Sequence, residues 1–150
     1  MKMFAKLSFF YSMIGLFLGV FYREFTKINS YTEKTVLSGL HTHVLVLGAF
    51  FFLIVLLLEN SFELTKNKKF NKFFITYNIG LLLTVIMMAI RGCVEVLNLE
   101  ISTMIDSSIS GIAGLGHIII AIAYILFFLI LLDRIKNVDS KKVDCIQSGT

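Results

Sequence analysis

The sequence of 150 residues contains no proline, only two cysteines and few charged residues, which make up 16% of the chain. With 57% hydrophobic residues and a mean hydropathy of +0.84, it holds far more apolar surface than a soluble domain of this size buries. This composition excludes an ordinary soluble protein, because lipid has to cover the remaining apolar surface. Cys93 and Cys145 are predicted on opposite sides of the membrane, which excludes a disulfide framework within one chain.

Four apolar stretches are long enough to cross a hydrocarbon core, which needs about 20 helical residues. They are Met3–Tyr22, Leu37–Leu58, Phe73–Ile90 and Ile109–Leu132. The first begins near Lys2 and Lys6, as a secretory signal does, but it has no small-residue cleavage site and is predicted to be a retained helix. We predict an all-α, integral membrane four-helix bundle, with a transmembrane domain over residues 1–136 and a polar cytoplasmic tail over residues 137–150.

The basic residues predict the orientation and exclude nucleic acid as a partner. The net charge is +4, but the Lys and Arg residues lie in short loops beside apolar spans and not along one soluble face. Most of them lie at the amino end, in the loop 59–72 and in the tail. The opposite side holds only Arg23, Lys27, Lys34 and Arg91. The positive-inside rule therefore predicts that both termini lie in the cytoplasm.

All three histidines, His41, His43 and His117, lie inside apolar spans. Ionisable residues are costly within a membrane and are usually functional, although interhelical hydrogen bonding is the structural alternative. At the helical rise they lie about 6, about 9 and about 12 Å below the outer ends of their spans, so all three share the outer leaflet. The side chains of His41 and His43 leave the helix about 200° apart and are expected to face two different neighbours.

A haem iron takes two axial ligands from opposite sides of a flat ring, which suits one histidine of the second span and His117 of the fourth. The glycine-rich segment 109–117 leaves room for such a ring, with Gly114 as a candidate contact, and helix packing is the alternative. Arg23 and Arg91 flank this level and are candidate partners of haem propionates. Arginines at span ends also occur without any ligand, because their side chains reach the interface.

Two further features concern helix packing and helix ends. The spacing of Gly15 and Gly19 predicts that this face of the first span packs closely against protein. Asp106 and the two serines after it are residue types that cap a helix, and they are predicted to do so for the fourth span.

Three segments carry a family resemblance, namely Phe21–Phe25, Leu40–Gly48 and Ile109–His117. They resemble an uncharacterised family of small bacterial four-helix membrane proteins, and the likeness covers nearly the whole chain except the tail. That family is in turn similar to the catalytic subunit of haem–copper oxidases and to haem-binding membrane proteins linked to nitric oxide metabolism. The second likeness rests on His-x-His in an inward-running helix, which in the oxidases ligates two different haems.

The resemblance implies a multi-pass protein of the bacterial plasma membrane that binds haem b through His41, His43 and His117. It also implies a homotrimer, because three arcs of four helices rebuild the twelve-helix ring of an oxidase, and a dimer is the alternative. The chain has only three histidines, so the remaining copper ligands of an oxidase have no counterpart. Oxygen reduction with proton pumping is therefore not expected.

The sequence thus predicts a haem b-binding membrane protein for electron transfer or for binding of a diatomic gas, O2 or NO, with a quinone or a redox protein as a candidate partner. Enzyme activity is not expected, and if there is any it is that of a haem-dependent oxidoreductase. Two alternatives stay open. One is a transporter or sensor in which the three histidines hold one Cu or Zn ion, and the other is a structural membrane subunit without a cofactor.

Overall fold

Helices account for most of the chain. The computed structural model describes residues 2–148, with side chains at all of these positions except 139 and 141–148. The elements in chain order are α1 (Lys2–Ile28), α2 (Leu37–His43), a π-helix (Val44–Phe50), α3 (Phe51–Phe62), a short 3-10 helix (Leu64–Lys66), α4 (Phe70–Val96) and α5 (Thr103–Ser148). α2, the π-helix and α3 follow one another without a break and form the second span, Leu37–Phe62. The described residues contain no strand.

Four helical stretches are long and apolar enough to cross a membrane: α1, the second span, α4 and the part of α5 over Thr103–Val138. This confirms the predicted all-α fold with four spans. Between 17% and 39% of the residues in the apolar window of each stretch are buried inside the protein. Most apolar side chains therefore face outward, which is compatible with a multi-pass membrane protein.

Each of the three loops that join the spans has a residue in the left-handed conformation at its first or second position, namely Ser30 (φ 50°), Glu63 (φ 52°) and Asn98 (φ 49°). This conformation turns the chain so that amides beyond the helix reach back to its last carbonyls. The Tyr31 N–H donates to the Thr26 carbonyl at 2.9 Å, and the Leu99 N–H donates to the Val94 carbonyl at 3.1 Å. α1 and α4 thus end with their last carbonyl groups paired.

The fourth helix begins earlier than the sequence pattern predicts. It starts at Thr103, and the Ser102 hydroxyl accepts a hydrogen bond from the Ile105 N–H at 3.4 Å. Asp106 lies inside the first turn and forms an ion pair with Arg91 at 3.3 Å. The capping role predicted for Asp106 and the serines after it is therefore wrong, because these residues already belong to the helix.

α1 packs against the second span through its two spaced glycines. A Cβ atom on Gly15 would lie 2.6 Å from the Leu45 side chain, and one on Gly19 would lie 3.7 Å from the imidazole of His41. A larger residue at Gly15 would require the Leu45 side chain to shift. The prediction that this face packs against protein is confirmed.

The two ends of the bundle differ in how the helices pack. We call the end with the loops 29–36 and 97–102 the distal end, and the end with Lys2 the proximal end. A proximal core joins all four spans and is rich in aromatic rings, including Phe4, Phe51, Phe52, Phe73, Tyr77 and Phe127. A distal core is built on Leu37, Leu40 and Val96 with residues of α1 and α4 around them, and none of its described members belongs to α5. The distal half of α5 thus stands outside the core that holds the second span.

The remaining predictions concern the cysteines and the tail. Cys93 is a free, half-buried thiol on α4, whereas the side chain of Cys145 lies outside the described side chains. In the segment 137–150, the backbone continues α5 as a helix to Ser148. Residues 149 and 150 lie outside the described residues.

Candidate functional site

His43 is the last residue of α2 and is half-buried. Its Nδ1 lies 2.9 Å from the carbonyl oxygen of Gly39, one turn earlier. A carbonyl only accepts hydrogen bonds, so Nδ1 carries the proton and Nε2 is left with a free lone pair in the neutral ring. Histidines that bind metals are usually held in this way, because the second hydrogen bond fixes the tautomer and the ring orientation.

His117 has the same hydrogen-bonding state on the opposite helix. It is exposed on α5, and its Nδ1 lies 2.9 Å from the carbonyl oxygen of Ala113, again one turn earlier. Its Nε2 therefore also has a free lone pair. Both imidazoles therefore have an unprotonated Nε2 that can bind a metal ion.

His43 and His117 lie at one level of the bundle. The rings of Phe51 on α3 and Tyr124 on α5 are in edge contact, with centroids 5.2 Å apart. His117 precedes Tyr124 by seven residues, which is close to two α-helical turns, so both lie on the same face of α5. His43 precedes Phe51 by eight residues along the second span. Both histidines therefore lie about two turns distal of this contact.

A π-helix lies between His43 and Phe51. A turn of π-helix is closed by a hydrogen bond to the fifth residue and holds more than the 3.6 residues of an α-turn. A step of four residues, as from His43 to Leu47 and on to Phe51, therefore falls short of a full turn here, whereas it exceeds one in a regular α-helix. π-helical segments are rare and are frequent at functional sites.

Two side chains from neighbouring spans fix this π-helix. The Tyr77 hydroxyl of α4 donates to the Leu47 carbonyl at 2.8 Å, and the Ser8 hydroxyl of α1 donates to the Ala49 carbonyl at 2.9 Å. Carbonyls in a membrane-spanning helix need a partner inside the protein, because lipid offers none. The sequence carries no local signal for this feature, since the donors lie far away along the chain.

An open groove of about 220 Å³ follows the second span at the level of His43 and is lined by Thr42, His43, Val46 and Leu47. We call this groove the cleft. The contact of Phe51 on α3 with Tyr124 on α5 lies proximal of it. None of the described residues of α5 belongs to the distal core, and His117 lies on the face of α5 that continues from Tyr124.

His41 lies on the other side of the second span. It packs against Gly19 of α1, and its Nδ1 is buried without a hydrogen-bond partner. Its Nε2 lies 3.4 Å from the Thr42 hydroxyl. The prediction that His41 and His43 face different neighbours is confirmed, and only His43 lines the groove.

Thr84 of α4 is a second buried polar group at this level, and the sequence pattern assigns it no role. It is fully buried, and its Oγ1 has no hydrogen-bond partner. A Cβ atom on Gly116 would lie 2.5 Å from this oxygen, so Thr84 lies directly against the residue that precedes His117. Leaving a buried hydroxyl unpaired costs about 1–3 kcal/mol.

The two arginines differ in their surroundings. Arg91 forms ion pairs with Glu95 at 3.5 Å and with Asp106 at 3.3 Å, and it donates to the Ser110 hydroxyl. The side chain of Arg23 is 80% exposed and has one weak ion pair, at 3.7 Å, with Glu24 beside it. Arg23 lies one helical turn distal of Gly19, near the level of His41. Of the two, Arg23 is the more available to an added carboxylate.

The glycines of α5 divide into two groups. Gly116 faces α4 and has a packing role, because a Cβ atom there would meet the Thr84 side chain and backbone. Gly111 and Gly114 have no atom within 4 Å of the position of a Cβ, so within the described residues they face open space. The structure places Gly114 one turn from His117, on the outer side of α5.

The described side chains bring no three His, Cys, Asp or Glu groups together in a way that holds a metal ion. The three histidines of one protomer are thus divided, with His41 towards α1 and His43 towards the cleft.

Comparison with known proteins finds one family model, described as "Protein of unknown function (DUF2871)", which matches residues 1–134. No curated protein matches the chain, and no solved structure matches it.

Proposed function

The chain belongs to this family of unknown function, and we propose that it is a haem b-binding membrane protein in which His43 and His117 are the axial ligands of one iron. The observation that carries the proposal is the shared state of these imidazoles. Each donates its Nδ1–H to its own helix at 2.9 Å, and each keeps a free Nε2 at one level of the cleft. Two histidines on opposite helices are the ligand set of a low-spin haem.

Other features of the cleft fit a flat, apolar ring. Val46 and Leu47 give the groove an apolar wall, and none of the described residues of α5 belongs to the distal core. Gly114, which has open space around it, adds no side chain beside His117. Arg91 already has two carboxylate partners, and Arg23 lies on α1, on the His41 side of the second span, so neither arginine is assigned to a propionate.

The residues of the chain have distinct roles in this proposal. A bound haem supplies an iron that gains or loses a single electron. Gly39 and Ala113 orient the imidazoles through their carbonyls, and the ring contact of Phe51 with Tyr124 lies proximal of the cleft. These roles support electron transfer without a reaction that the protein itself catalyses.

We extend the proposal to the surroundings of the protein. The Lys and Arg distribution supports cytoplasmic termini in a bacterial plasma membrane. The likeness of His-x-His to the haem–copper oxidases supports a homo-oligomer, with a trimer favoured over a dimer. A quinone or a redox protein is the proposed source of electrons.

A Cu or Zn ion is the second candidate ligand, because the same free Nε2 atoms suit either metal. The described protomer offers at most these two imidazoles at the cleft, whereas structural zinc sites have four ligands. The histidine pair therefore favours haem, whose ring supplies the other four ligands of the iron.

The test is the cofactor content of the protein purified in detergent from haem-supplied cells. We expect the pyridine haemochrome spectrum of haem b, with no stoichiometric Cu or Zn by elemental analysis. The double variant His43→Ala, His117→Ala is expected to lose the haem, while Cys93→Ala, a change on α4 without a role in the proposal, keeps it. Copper or zinc in place of haem would support the second candidate. A purified protein that contains no haem, copper or zinc would contradict both candidates.

A further inference from the structure

Three lysines lie together where α4 begins, at the proximal end of the bundle. Lys68 and Lys69 immediately precede the helix, and Lys72 lies in its first turn. All three are exposed, and no ion pair joins any of them to a described carboxylate. Lys69 already has helical dihedral angles, so Lys72, three residues on, is its neighbour on the helix surface. We call these residues the lysine triad. Like charges so close together repel, and a bound anion would relieve that repulsion.

The described carboxylates at this end are bonded to residues outside the lysine triad. The bonded residues are Thr65 for Glu59, Lys66 and Arg134 for Glu63, and Asn67 for Asp133. These bonds leave the lysine triad without a carboxylate of its own among the described side chains. Its positive charge is therefore available to a negative group that binds from outside.

The backbone that carries the lysine triad is held from two directions. Asn67 joins it to α5, because its amide nitrogen donates to Asp133 at 2.8 Å and its side-chain oxygen accepts the Lys69 N–H at 2.8 Å. Phe70 and Phe73, which lie beside the lysines in the chain, are buried in the proximal core. The three lysines thus start from a fixed backbone, so the binding of an anion orders only their side chains.

An exposed apolar stripe continues from the lysine triad along α4. Steps of three and four residues from Lys72 lead to Ile75, Ile79 and Leu82, which places these side chains on one face of the helix. They are between 50% and 59% exposed. At the helical rise, Leu82 lies about 15 Å from Lys72, which is half of a hydrocarbon core of about 30 Å. One face of α4 therefore has cations at its end and apolar side chains over the depth of one leaflet.

We propose that this face binds one anionic phospholipid, with the phosphate on the lysine triad and an acyl chain along Ile75, Ile79 and Leu82. The lipid phosphate supplies the negative charge that the described carboxylates do not, and the apolar stripe fits the chain attached to it. A zwitterionic lipid carries a cation of its own and gains less from the lysines. This inference is independent of the haem proposal.

The experiment measures lipid binding to the full-length protein in detergent by native mass spectrometry. The probes are phosphatidylglycerol and phosphatidylethanolamine with identical acyl chains. We expect the wild type to bind phosphatidylglycerol at least about tenfold more tightly. The triple variant Lys68→Gln, Lys69→Gln, Lys72→Gln is expected to bind both lipids equally, and the corresponding triple Arg variant keeps the preference. Lys27→Gln combined with Lys34→Gln removes exposed charges of the distal end and is the control that also keeps it.

Two further measurements separate a lipid site from general attraction of anions. The single variant Lys72→Gln is expected to lower the preference about threefold. Phosphatidylglycerol is expected to raise the thermal unfolding midpoint of the wild type but not of the triple Gln variant, whereas an equal concentration of inorganic phosphate leaves it unchanged. Equal binding of the two lipids by the wild type, or an unchanged preference in the triple Gln variant, would overturn the site. The same stabilisation by inorganic phosphate would overturn its assignment to a lipid.

Discussion

His43 and His117 stand on different spans, and each donates its Nδ1–H to the carbonyl one turn earlier, to Gly39 and Ala113 respectively, at the same distance of 2.9 Å. The bond leaves each Nε2 without a proton and each ring with one preferred orientation. Both residues lie about two turns distal of the contact between Phe51 and Tyr124. This relationship between the two rings is the basis of the proposed haem site.

Gly116 is predicted to be essential for the packing of α5 on α4, and Gly114 is not. A Cβ atom on Gly116 would lie 2.5 Å from the Thr84 hydroxyl and 3.0 Å from its backbone nitrogen, which cannot move without the helix. Gly116→Ala is therefore expected to destabilise the protein by about 1–3 kcal/mol. A Cβ atom on Gly114 would lie in open space, so Gly114→Ala is expected to leave the stability unchanged or to raise it by up to about 1 kcal/mol through the higher helix propensity of alanine. Unfolding of the haem-free protein in mixed detergent micelles measures both, and equal losses would contradict this packing.

The donors that fix the π-helix are predicted to control the orientation of His43. Tyr77→Phe and Ser8→Ala each remove one hydrogen bond to the π-helix, at an expected cost of about 0.6–1.5 kcal/mol each. The double variant is expected to shift the midpoint potential of the haem, because the imidazole loses its fixed orientation.

Tyr11→Phe is the control for these donors. It removes a hydrogen bond to Asn78 and leaves the carbonyls of the π-helix untouched. A potentiometric titration compares the variants. The same shift in Tyr11→Phe as in the double variant would show that the π-helix has no special role.

Glu95 is predicted to hold the start of α2, the helix that carries His41 and His43. Its Oε2 accepts hydrogen bonds from the Thr35 hydroxyl and the Val36 N–H, both at 2.8 Å. Glu95→Ala is expected to destabilise the protein by about 1–2 kcal/mol, as the loss of a helix cap does. Glu24→Ala, which removes only an exposed ion pair, should change the stability by less than about 0.5 kcal/mol. Chemical unfolding followed by circular dichroism tests this, and the idea fails if the two variants are equally stable.

The sequence was sufficient to predict the number of spans and the divergence of His41 and His43. Both follow from local regularities, the length of an apolar run and the angle per residue of a helix. The angle of a regular α-helix does not describe how His43 relates to Phe51, because a π-helix that bonds to Ser8 and Tyr77 of other spans lies between them. Such long-range hydrogen bonds leave no pattern in the segment that they reshape.

Two other features were beyond the reach of the sequence for a similar reason. Asp106 is a residue type that often caps a helix. In the structure it pairs with Arg91 and lies inside a helix that already begins at Thr103. Thr84 appears as an ordinary polar residue of an apolar span, and its unpaired hydroxyl is evident only once Gly116 lies against it. Both depend on how α4 and α5 meet.

The most direct test of the central claim is the reduced-minus-oxidised visible spectrum of the purified protein and of its three single histidine variants. The wild type and His41→Ala are expected to show the sharp α and β bands of a low-spin haem b, because His41 faces α1 and not the cleft. His43→Ala and His117→Ala are expected to lose these bands or to show a high-spin spectrum. A spectrum without haem bands in the wild type, or a loss of the bands in His41→Ala alone, would contradict the assignment.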